Sequence, residues 1–477
     1  MRISEYFHLN LAQPSLDFVD IDTVDDTKIF VDPSALRLIK AQWAEECIDT
    51  IQQFFHMVIS AILADKEEIS KYMLSELHEP NETHLGLSKG IAKGTGLGKI
   101  SSDKVWWLLS TSKALKSGLI EDLEDSLLMI DGISFDRISD MTTNIIRDQL
   151  IRYTQDRARY YGIPLAGHIP SGPIWNPASM QWETKFVELP KVKGRKLLLV
   201  PKAIVRRKME YNVSEYYRNY VLEFLRQKEL SENSELVEVF KNGNRRVQSK
   251  LLKKKYGTGK ANVVKITQAF PTILDQYRSD KQNKIKPPLS HQELAKKIGT
   301  PIPDWMSLVA EVLACRPGED DSDRYARSIE AFLSALFYPA LVNPVEKQTL
   351  HLGQKKRKIA YLNIAQTGFF SWLALNHGSI DLIVECRNFT CKSEELDLEH
   401  LCADLSPTRG TVGILVCRGV EDKQKSLEKC KNIVRHSGCY ILVLGDSDLK
   451  QLAVEKTHES ESLEFQFLQS KFNQLLS

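Results

Sequence analysis

The chain has 477 residues, of which 42% are hydrophobic and 26% are charged, and its formal net charge is +2. A chain of this length is too long to form one ordinary hydrophobic core, so we expect two or three domains. Apolar runs of about 18 residues, which a transmembrane helix needs, do not occur, so we expect no membrane partner. The first residues lack the apolar stretch of a signal peptide, and eight cysteines without metal-ligand spacing fit reduced thiols. We therefore expect a cytoplasmic protein.

Residues 1–205 are predicted to form a mixed α/β domain, and no motif within them identifies a reaction. Two β-branched runs within residues 15–33 predict a hairpin. Residues 86–99 hold five glycines and three lysines, which suits either a surface loop or contact with nucleic-acid phosphate. Four carboxylates near the start either hold a metal ion or lie on the solvated face of an edge strand: Asp17, Asp20, Asp22 and Asp32.

Residues 206–317 are predicted to be mostly helical, and positive charge is concentrated there. Thirteen Lys and Arg stand against two Asp between residues 241 and 286. This density favours contact with the phosphate backbone of a nucleic acid, which contributes affinity without sequence readout. A solvated helix face is the alternative. We expect the contact from a basic helix and the Gly-Lys loop after it, through Arg245, Arg246, Lys250, Lys253, Lys254, Lys255 and Lys260.

Residues 318–477 alternate between helical and extended patterns. This alternation predicts an α/β domain whose sheet is covered on both faces. The predicted elements are a helix at 324–338, a hairpin at 349–363, a strand at 380–386, a helix at 394–404, a strand at 412–417, a helix at 422–435 and a strand at 440–444.

Glu385 and Arg387 stand two residues apart at the end of the strand at 380–386. Side chains alternate along a strand, so both point to the same face of the sheet. In this arrangement a carboxylate can hold a divalent metal ion while the cation neutralises a reacting phosphate. The pair therefore predicts a phosphate-directed site.

Several motifs resemble those of the PD-(D/E)xK nuclease superfamily, over about residues 323–450. Glu385-Cys386-Arg387-Asn388 is similar to the E-C-K-N of Mrr-like members, with Arg387 where lysine is usual. Residues 397–401 resemble the E-x-D-Q-L helix of that family, with His400 where glutamine is common, and residues 409–418 resemble its R-G-x-x-G-x-L-x-x-R strand. The resemblance implies a C-terminal restriction-endonuclease-like αβββαβ core.

The resemblance also implies a function, that of a Mg²⁺- or Mn²⁺-dependent deoxyribonuclease that cleaves DNA in prokaryotic defence or restriction. Glu385 would bind the metal ion and Arg387 would stabilise phosphate, with His400 beside them. Asp381, on the same strand, and Glu330, on the first helix of the domain, are the further carboxylates that we expect as metal ligands.

Two departures from the family motif support a different function. The metal-binding Asp of the family falls at Ala360, which cannot ligate, and Arg387 keeps the charge of lysine but cannot lose its proton. The alternative is a catalytically degenerate nuclease-fold protein, acting as a DNA-binding or regulatory subunit beside a partner subunit or a second copy. Glu385 would then pair with a nearby Lys or Arg. In a further hypothesis, the first 200 residues sense a ligand and gate the C-terminal domain.

Overall fold

A computed structural model of the chain describes residues 1–87, 97–351, 354–391, 398–458 and 462–476. Most of the glycine- and lysine-rich segment predicted to form a surface loop lies outside these ranges. The chain divides into two compact units: unit 1 comprises Met1–Phe7, Ile21–Val200 and Ile204–Lys286, and unit 2 comprises His8–Asp20, Pro201–Ala203 and Pro287–Ser477. The three-domain division at residues 205 and 317 stays a prediction.

Unit 1 is mainly helical. Its helices are α1 (Ile3–Tyr6), α2 (Gln42–Leu63), α3 (Glu67–Leu74), α4 (Leu97–Ser110), α5 (Lys113–Lys116), α6 (Asp125–Met129), α7 (Phe135–Ile145), α8 (Arg147–Tyr161), α9 (Val213–Glu215), α10 (Leu222–Ser231), α11 (Ser249–Tyr256), α12 (Lys260–Ala269) and α13 (Thr272–Asn283). Tyr216–Val221 forms a π-helical turn between α9 and α10. No helix in the described part of the chain is long and apolar enough to cross a membrane.

The strands of unit 1 are short and form antiparallel pairs. The pairs are β1 (Phe30–Val31) with β8 (Val205–Arg206), β2 (Ala166–Pro170) with β5 (Phe186–Leu189), β3 (Ile174–Asn176) with β4 (Gln181–Glu183), β6 (Lys191–Val192) with β7 (Arg195–Lys196), and β9 (Val237–Val239) with β10 (Arg245–Val247).

Two predictions for these strands were wrong. The hairpin predicted within residues 15–33 does not form. Residues 15–20 belong to unit 2, whereas β1 belongs to unit 1 and pairs with β8. Arg245 and Arg246 were expected on a basic helix but lie on β10, and the helix begins at Ser249. Valines flank an Asn-Gly-Asn turn at residues 242–244, and this pattern favours a hairpin over a helix.

The four carboxylates near the start of the chain do not form one exposed face. Asp17, Asp20 and Asp32 are buried. Asp32 accepts hydrogen bonds from the backbone N–H groups of Ser34 and Glu210, and Asp22 forms an ion pair with the N-terminal ammonium. Asp32 therefore caps the turn that begins at Pro33, and Asp22 holds the N-terminus, so both have structural roles.

Unit 2 is an α/β unit built on one five-stranded sheet. Its helices are α14 (His291–Ile298), α15 (Trp305–Leu313), α16 (Ser322–Phe337), α17 (Gly368–His377), α18 (Glu399–Cys402), α19 (Lys423–Ser437), α20 (Asp446–His458) and α21 (Gln466–Leu476). Its strands are β11 (Leu341–His351), β12 (Gln354–Asn363), β13 (Asp381–Cys391), β14 (Val412–Val420) and β15 (Tyr440–Leu444), and they lie in that order across the sheet.

The sheet of unit 2 is mixed. β11, β12 and β13 pair antiparallel, whereas β13, β14 and β15 pair parallel. Both faces of β13 and β14 are buried in the core, with Val384, Ile414 and Leu415 at 0% exposure. Parallel strands that are covered on both faces read as continuous apolar runs, as these do. The prediction of a mixed α/β architecture with a C-terminal sheet is confirmed.

Cysteine pairing differs from the prediction of reduced thiols. Cys402, at the end of α18, and Cys439, just before β15, form a disulfide across 37 residues of sequence. Their Cα atoms lie 5.9 Å apart because the connection to the parallel strand β15 returns the chain to this end of the sheet. Sequence spacing alone does not reveal this proximity. Cytoplasmic location stays a prediction.

A buried ion pair anchors the middle of unit 1. Arg147, only 1% exposed, donates to Glu82 at 2.7 Å, and Lys196 lies 3.1 Å from the same carboxylate oxygen. Burial alone would raise the pKa of Glu82. The two cations outweigh burial and lower this pKa from 4.5 to about 2. Because the folded-state pKa is depressed, Glu82 stabilises the fold above its ordinary pKa and loses that contribution as the pH falls.

We predict that Glu82→Gln lowers the free energy of unfolding at pH 7 by about 2–3 kcal/mol. The difference from wild type should shrink between pH 4.5 and about 2, where Glu82 itself becomes protonated. Urea unfolding across this pH range measures it. Glu188→Gln, in an exposed pair with Arg159, is the matched control and should change stability by less than about 0.5 kcal/mol. A pH-independent difference would contradict the assignment.

Candidate functional site

The pairing of β12 with β13 places three charged side chains on one face of the sheet. Lys358 lies directly opposite Glu385, and Ala360 lies opposite Ile383. Because side chains alternate along a strand, Lys358, Glu385 and Arg387 share a face. The predicted neighbourhood of Glu385 and Arg387 therefore exists, and it includes a lysine from the adjacent strand.

Glu385 is fully buried and sits between two cations. The Nε atom of Arg387 donates to Oε1 of Glu385 at 2.7 Å, and a terminal nitrogen of the same guanidinium also lies 2.7 Å from Oε1. The ammonium of Lys358 lies 3.6 Å from Oε2. Glu385 and Lys358 are both 0% exposed. A buried carboxylate needs such partners, because an isolated buried charge costs several kcal/mol.

Lys358 extends the arrangement to α18 and the turn that follows it. Its ammonium forms an ion pair with Asp404 and lies 3.0 Å from Nδ1 of His400. An ammonium offers only donors, so Nδ1 must accept and a neutral His400 ring carries its proton on Nε2. We call these five residues the ion cluster: Lys358, Glu385, Arg387, His400 and Asp404.

The charge pattern of the ion cluster does not fit a divalent metal ion. Each oxygen of Glu385 already faces a cation, and Ala360, two residues after Lys358 on the same face of β12, has no side-chain atom that could bind a metal ion. The Lys358 ammonium lies beside Glu385 on the same face of the sheet, so a metal ion there would meet a like charge. In the part of the chain that the structure describes, no three His, Cys, Asp or Glu side chains are grouped as a metal site.

The two further carboxylates predicted as metal ligands are not brought to Glu385. Asp381 begins β13 and pairs with Arg409 at 2.7 Å, about 13 Å along the strand from Glu385. Burial and then the charge of Glu330 raise the pKa of Cys386 and of Tyr361. The side chains of Cys386 and Tyr361 point to the face opposite that of Glu385. The Tyr361 hydroxyl donates to the backbone carbonyl of Glu330 at 3.4 Å, so the helix that carries Glu330 lies against that other face.

Sequence reasoning identified Glu385, Arg387 and His400 but missed two members of the ion cluster. Lys358 is one of several cations in the strand before the site, and Asp404 lies in the turn after α18, far from Glu385 in sequence. The signal that singles out Lys358 is its position directly opposite Glu385. This position depends on the register of the two strands, which the sequence pattern does not fix.

The residues predicted to contact nucleic acid fall into two groups. Arg246 on β10 and Lys250, Lys253 and Lys254 on α11 are exposed. The other three are held within unit 1: Arg245 donates to the Leu230 carbonyl at 2.8 Å, Lys255 lies 2.6 Å from Glu229, and Lys260 donates to the Ile130 carbonyl at 2.5 Å. We call the β9–β10 hairpin and α11, residues 237–256, the basic surface.

The described fold and sites define a mixed α/β protein with a buried ion cluster on its sheet and a separate basic surface. Residues 8–212 match the family model described as a domain of unknown function, DUF8370. No curated protein and no solved structure shows a significant match. The matched residues end before the basic surface and before the ion cluster.

We predict that Lys358→Met lowers the free energy of unfolding by about 3 kcal/mol, because one oxygen of the buried Glu385 loses its cation. Glu385→Gln in the same chain should recover part of this loss, with a coupling free energy of about 1–3 kcal/mol. Chemical denaturation of the two single variants and the double variant measures it. Lys450→Met, at an exposed position on α20, is the control. Additive effects of the two substitutions would contradict the ion pair.

Proposed function

We propose that the protein binds DNA and that unit 2 is a nuclease-like domain in which an ion cluster has replaced the metal centre. The observation that carries this proposal is the Lys358 ammonium, 3.6 Å from Glu385 on the strand that also holds Ala360. A cation supplied by the chain stands beside the carboxylate that would otherwise bind Mg²⁺. This supports the catalytically degenerate alternative over a deoxyribonuclease.

The order of elements in unit 2 supports the nuclease-like part of the proposal. Helix α16 is followed by the β11–β12 hairpin, α17, β13, α18 and β14, which is the order of an αβββαβ core with the additional helix α17 between β12 and β13. β13 contains the E-C-R-N sequence and pairs with the hairpin on one side and with β14 on the other. A central strand that carries Glu385 and Arg387 supports the nuclease-like part of the proposal.

Within this proposal the ion cluster has a structural role. Arg387 cannot act as a base and its fork is engaged by Glu385 at 2.7 Å. Lys358 bridges two carboxylates, Glu385 and Asp404, so its ammonium is held by charge on both sides. Such a bridge joins β12, β13 and the turn after α18. Its role would be to stabilise the sheet, and it would take no part in a reaction.

DNA is the partner that the basic surface favours. Residues 237–256 contain seven Lys and Arg against one Glu. On α11, Lys250, Lys253 and Lys254 lie at i, i+3 and i+4 and so share one helix face, while Leu252 is buried on the other. A row of exposed ammonium groups on a rigid helix suits electrostatic contact with successive phosphates.

We predict that the protein binds duplex DNA with an affinity that falls steeply as salt rises. Lys253→Gln with Lys254→Gln should weaken binding at least about tenfold at 0.1 M salt and reduce the slope of log K against log salt by about 2. Fluorescence anisotropy on a labelled duplex measures both. The matched control, Lys113→Gln with Lys116→Gln on α5, removes the same charge from exposed positions in unit 1. An equal loss of DNA affinity in both double variants would show that the α11 lysines do not make the contact with DNA.

We also predict that the purified protein does not cleave plasmid DNA in Mg²⁺ or Mn²⁺, and that Glu385→Gln leaves DNA binding unchanged. Glutamine keeps the shape of the side chain but removes its charge and replaces one acceptor oxygen with an NH2 donor. Plasmid nicking assays with and without EDTA measure cleavage, and anisotropy measures binding. Cleavage that needs the metal ion and disappears in Glu385→Gln would contradict the degenerate alternative and establish the deoxyribonuclease.

A further inference from the structure

The β9–β10 hairpin presents apolar side chains at its tip. Val239 is 67% exposed and Phe240 is 46% exposed. The turn is closed by two hydrogen bonds, in which the Phe240 N–H donates to the Asn244 carbonyl and the Gly243 N–H donates to the Phe240 carbonyl, each at 2.9 Å. Gly243 adopts a φ of 80°, which a glycine takes without strain. The tip is therefore a hydrogen-bonded turn that exposes the aromatic ring of Phe240 to solvent.

The base of the hairpin is fixed to the rest of unit 1. Val247 is 1% exposed and lies opposite Val237 in the strand pair. Arg245 opposite Val239 donates to the Leu230 carbonyl at 2.8 Å and to the Asn233 side chain at 2.6 Å. Gln248 donates to Glu238 at 2.5 Å. These bonds make the hairpin a rigid projection, so little conformational entropy would be lost when its tip inserts into a partner.

Exposed cations follow the apolar tip along the chain. Lys241 follows Phe240 in the turn and is exposed, as is Arg246 on β10. Lys250, Lys253 and Lys254 continue the positive charge along α11. An exposed aromatic ring alone needs no explanation. The ring belongs to a surface that also carries the exposed side chains of Lys241, Arg246 and three lysines of α11. This combination favours a partner that is polyanionic outside and apolar inside.

Duplex DNA has this combination, with phosphates along its grooves and stacked bases between them. Proteins that bend DNA use apolar side chains as wedges between base steps, while nearby cations bind the flanking phosphates. We propose that the β9–β10 hairpin is such a wedge, with Phe240 entering a base step of duplex DNA from the minor groove. This inference rests on the proposed function, because it describes how the same basic surface engages DNA.

Wedge insertion unstacks and unwinds the duplex, so it changes the twist of a closed circle, and relaxation by a topoisomerase then fixes this change in the linking number. The test relaxes closed circular plasmid with a metal-independent topoisomerase in EDTA, in the presence of the full-length protein, and resolves the deproteinised topoisomers on a gel. We expect the wild-type protein to shift the topoisomer distribution. Phe240→Ala should lose this shift, weaken duplex binding by about tenfold and leave the salt dependence of affinity unchanged.

Two control variants test whether the topoisomer shift depends on the Phe240 ring itself. One removes positive charge, and the other removes an exposed ring elsewhere in unit 1. Lys253→Gln with Lys254→Gln should weaken binding but keep the topoisomer shift at saturating protein, because the ring is intact. Phe186→Ala removes a ring that is 74% exposed on β5 of the same unit, and it should behave as wild type. Phe240→Leu should retain part of the shift, since leucine also serves as a wedge.

The outcomes distinguish the wedge from the proposed function. Salt-dependent duplex binding without a topoisomer shift, or an equal shift by Phe240→Ala, would overturn the wedge and leave DNA binding in place. Tighter binding to single-stranded DNA than to duplex would also overturn it, with Phe240 acting as a stacking platform instead. Failure to bind duplex DNA would overturn both proposals.

Discussion

The buried carboxylate of Glu385 imposes a constraint on the sheet of unit 2. A charge at 0% exposure must be neutralised where it lies, and Lys358 and Arg387 do so from two strands. Lys358 faces Glu385 only in the observed register of β12 against β13, because a slip of one residue would turn its ammonium to the opposite face. The ion pair therefore specifies the pairing of the strands as well as stabilising it.

The same ammonium connects the sheet to the chain that follows β13. Lys358 also binds Asp404 and contacts His400, so the turn after α18 is attached to the antiparallel part of the sheet before the chain enters the parallel strand β14. The charges are balanced within this group, with two carboxylates, two cations and a histidine that accepts through Nδ1. A dication could enter only if Lys358 left, and this would separate α18 from β12.

The sequence was most informative where a pattern depends on neighbouring residues alone. Continuous apolar runs around Val384, Leu415 and Leu442 predicted the strands of the mixed sheet, and alternation placed Glu385 and Arg387 on one face. Features that depend on pairing were not predictable. Lys358 became part of the site through strand register, and Arg245 changed from a predicted helix to a strand because valines across the turn pair with one another.

Local charge density also overstates the cations available to a partner. Of the seven basic side chains predicted to contact nucleic acid, Arg245, Lys255 and Lys260 satisfy carbonyl or carboxylate oxygens of unit 1. The bonds of Arg245 and Lys255 fix the hairpin and α11 in place, and the bond of Lys260 fixes the start of α12. The remaining cations therefore lie on a rigid support. A flexible basic segment would lose more entropy on binding than this surface does. The bond of Arg245 also holds the hairpin whose tip carries Val239 and Phe240.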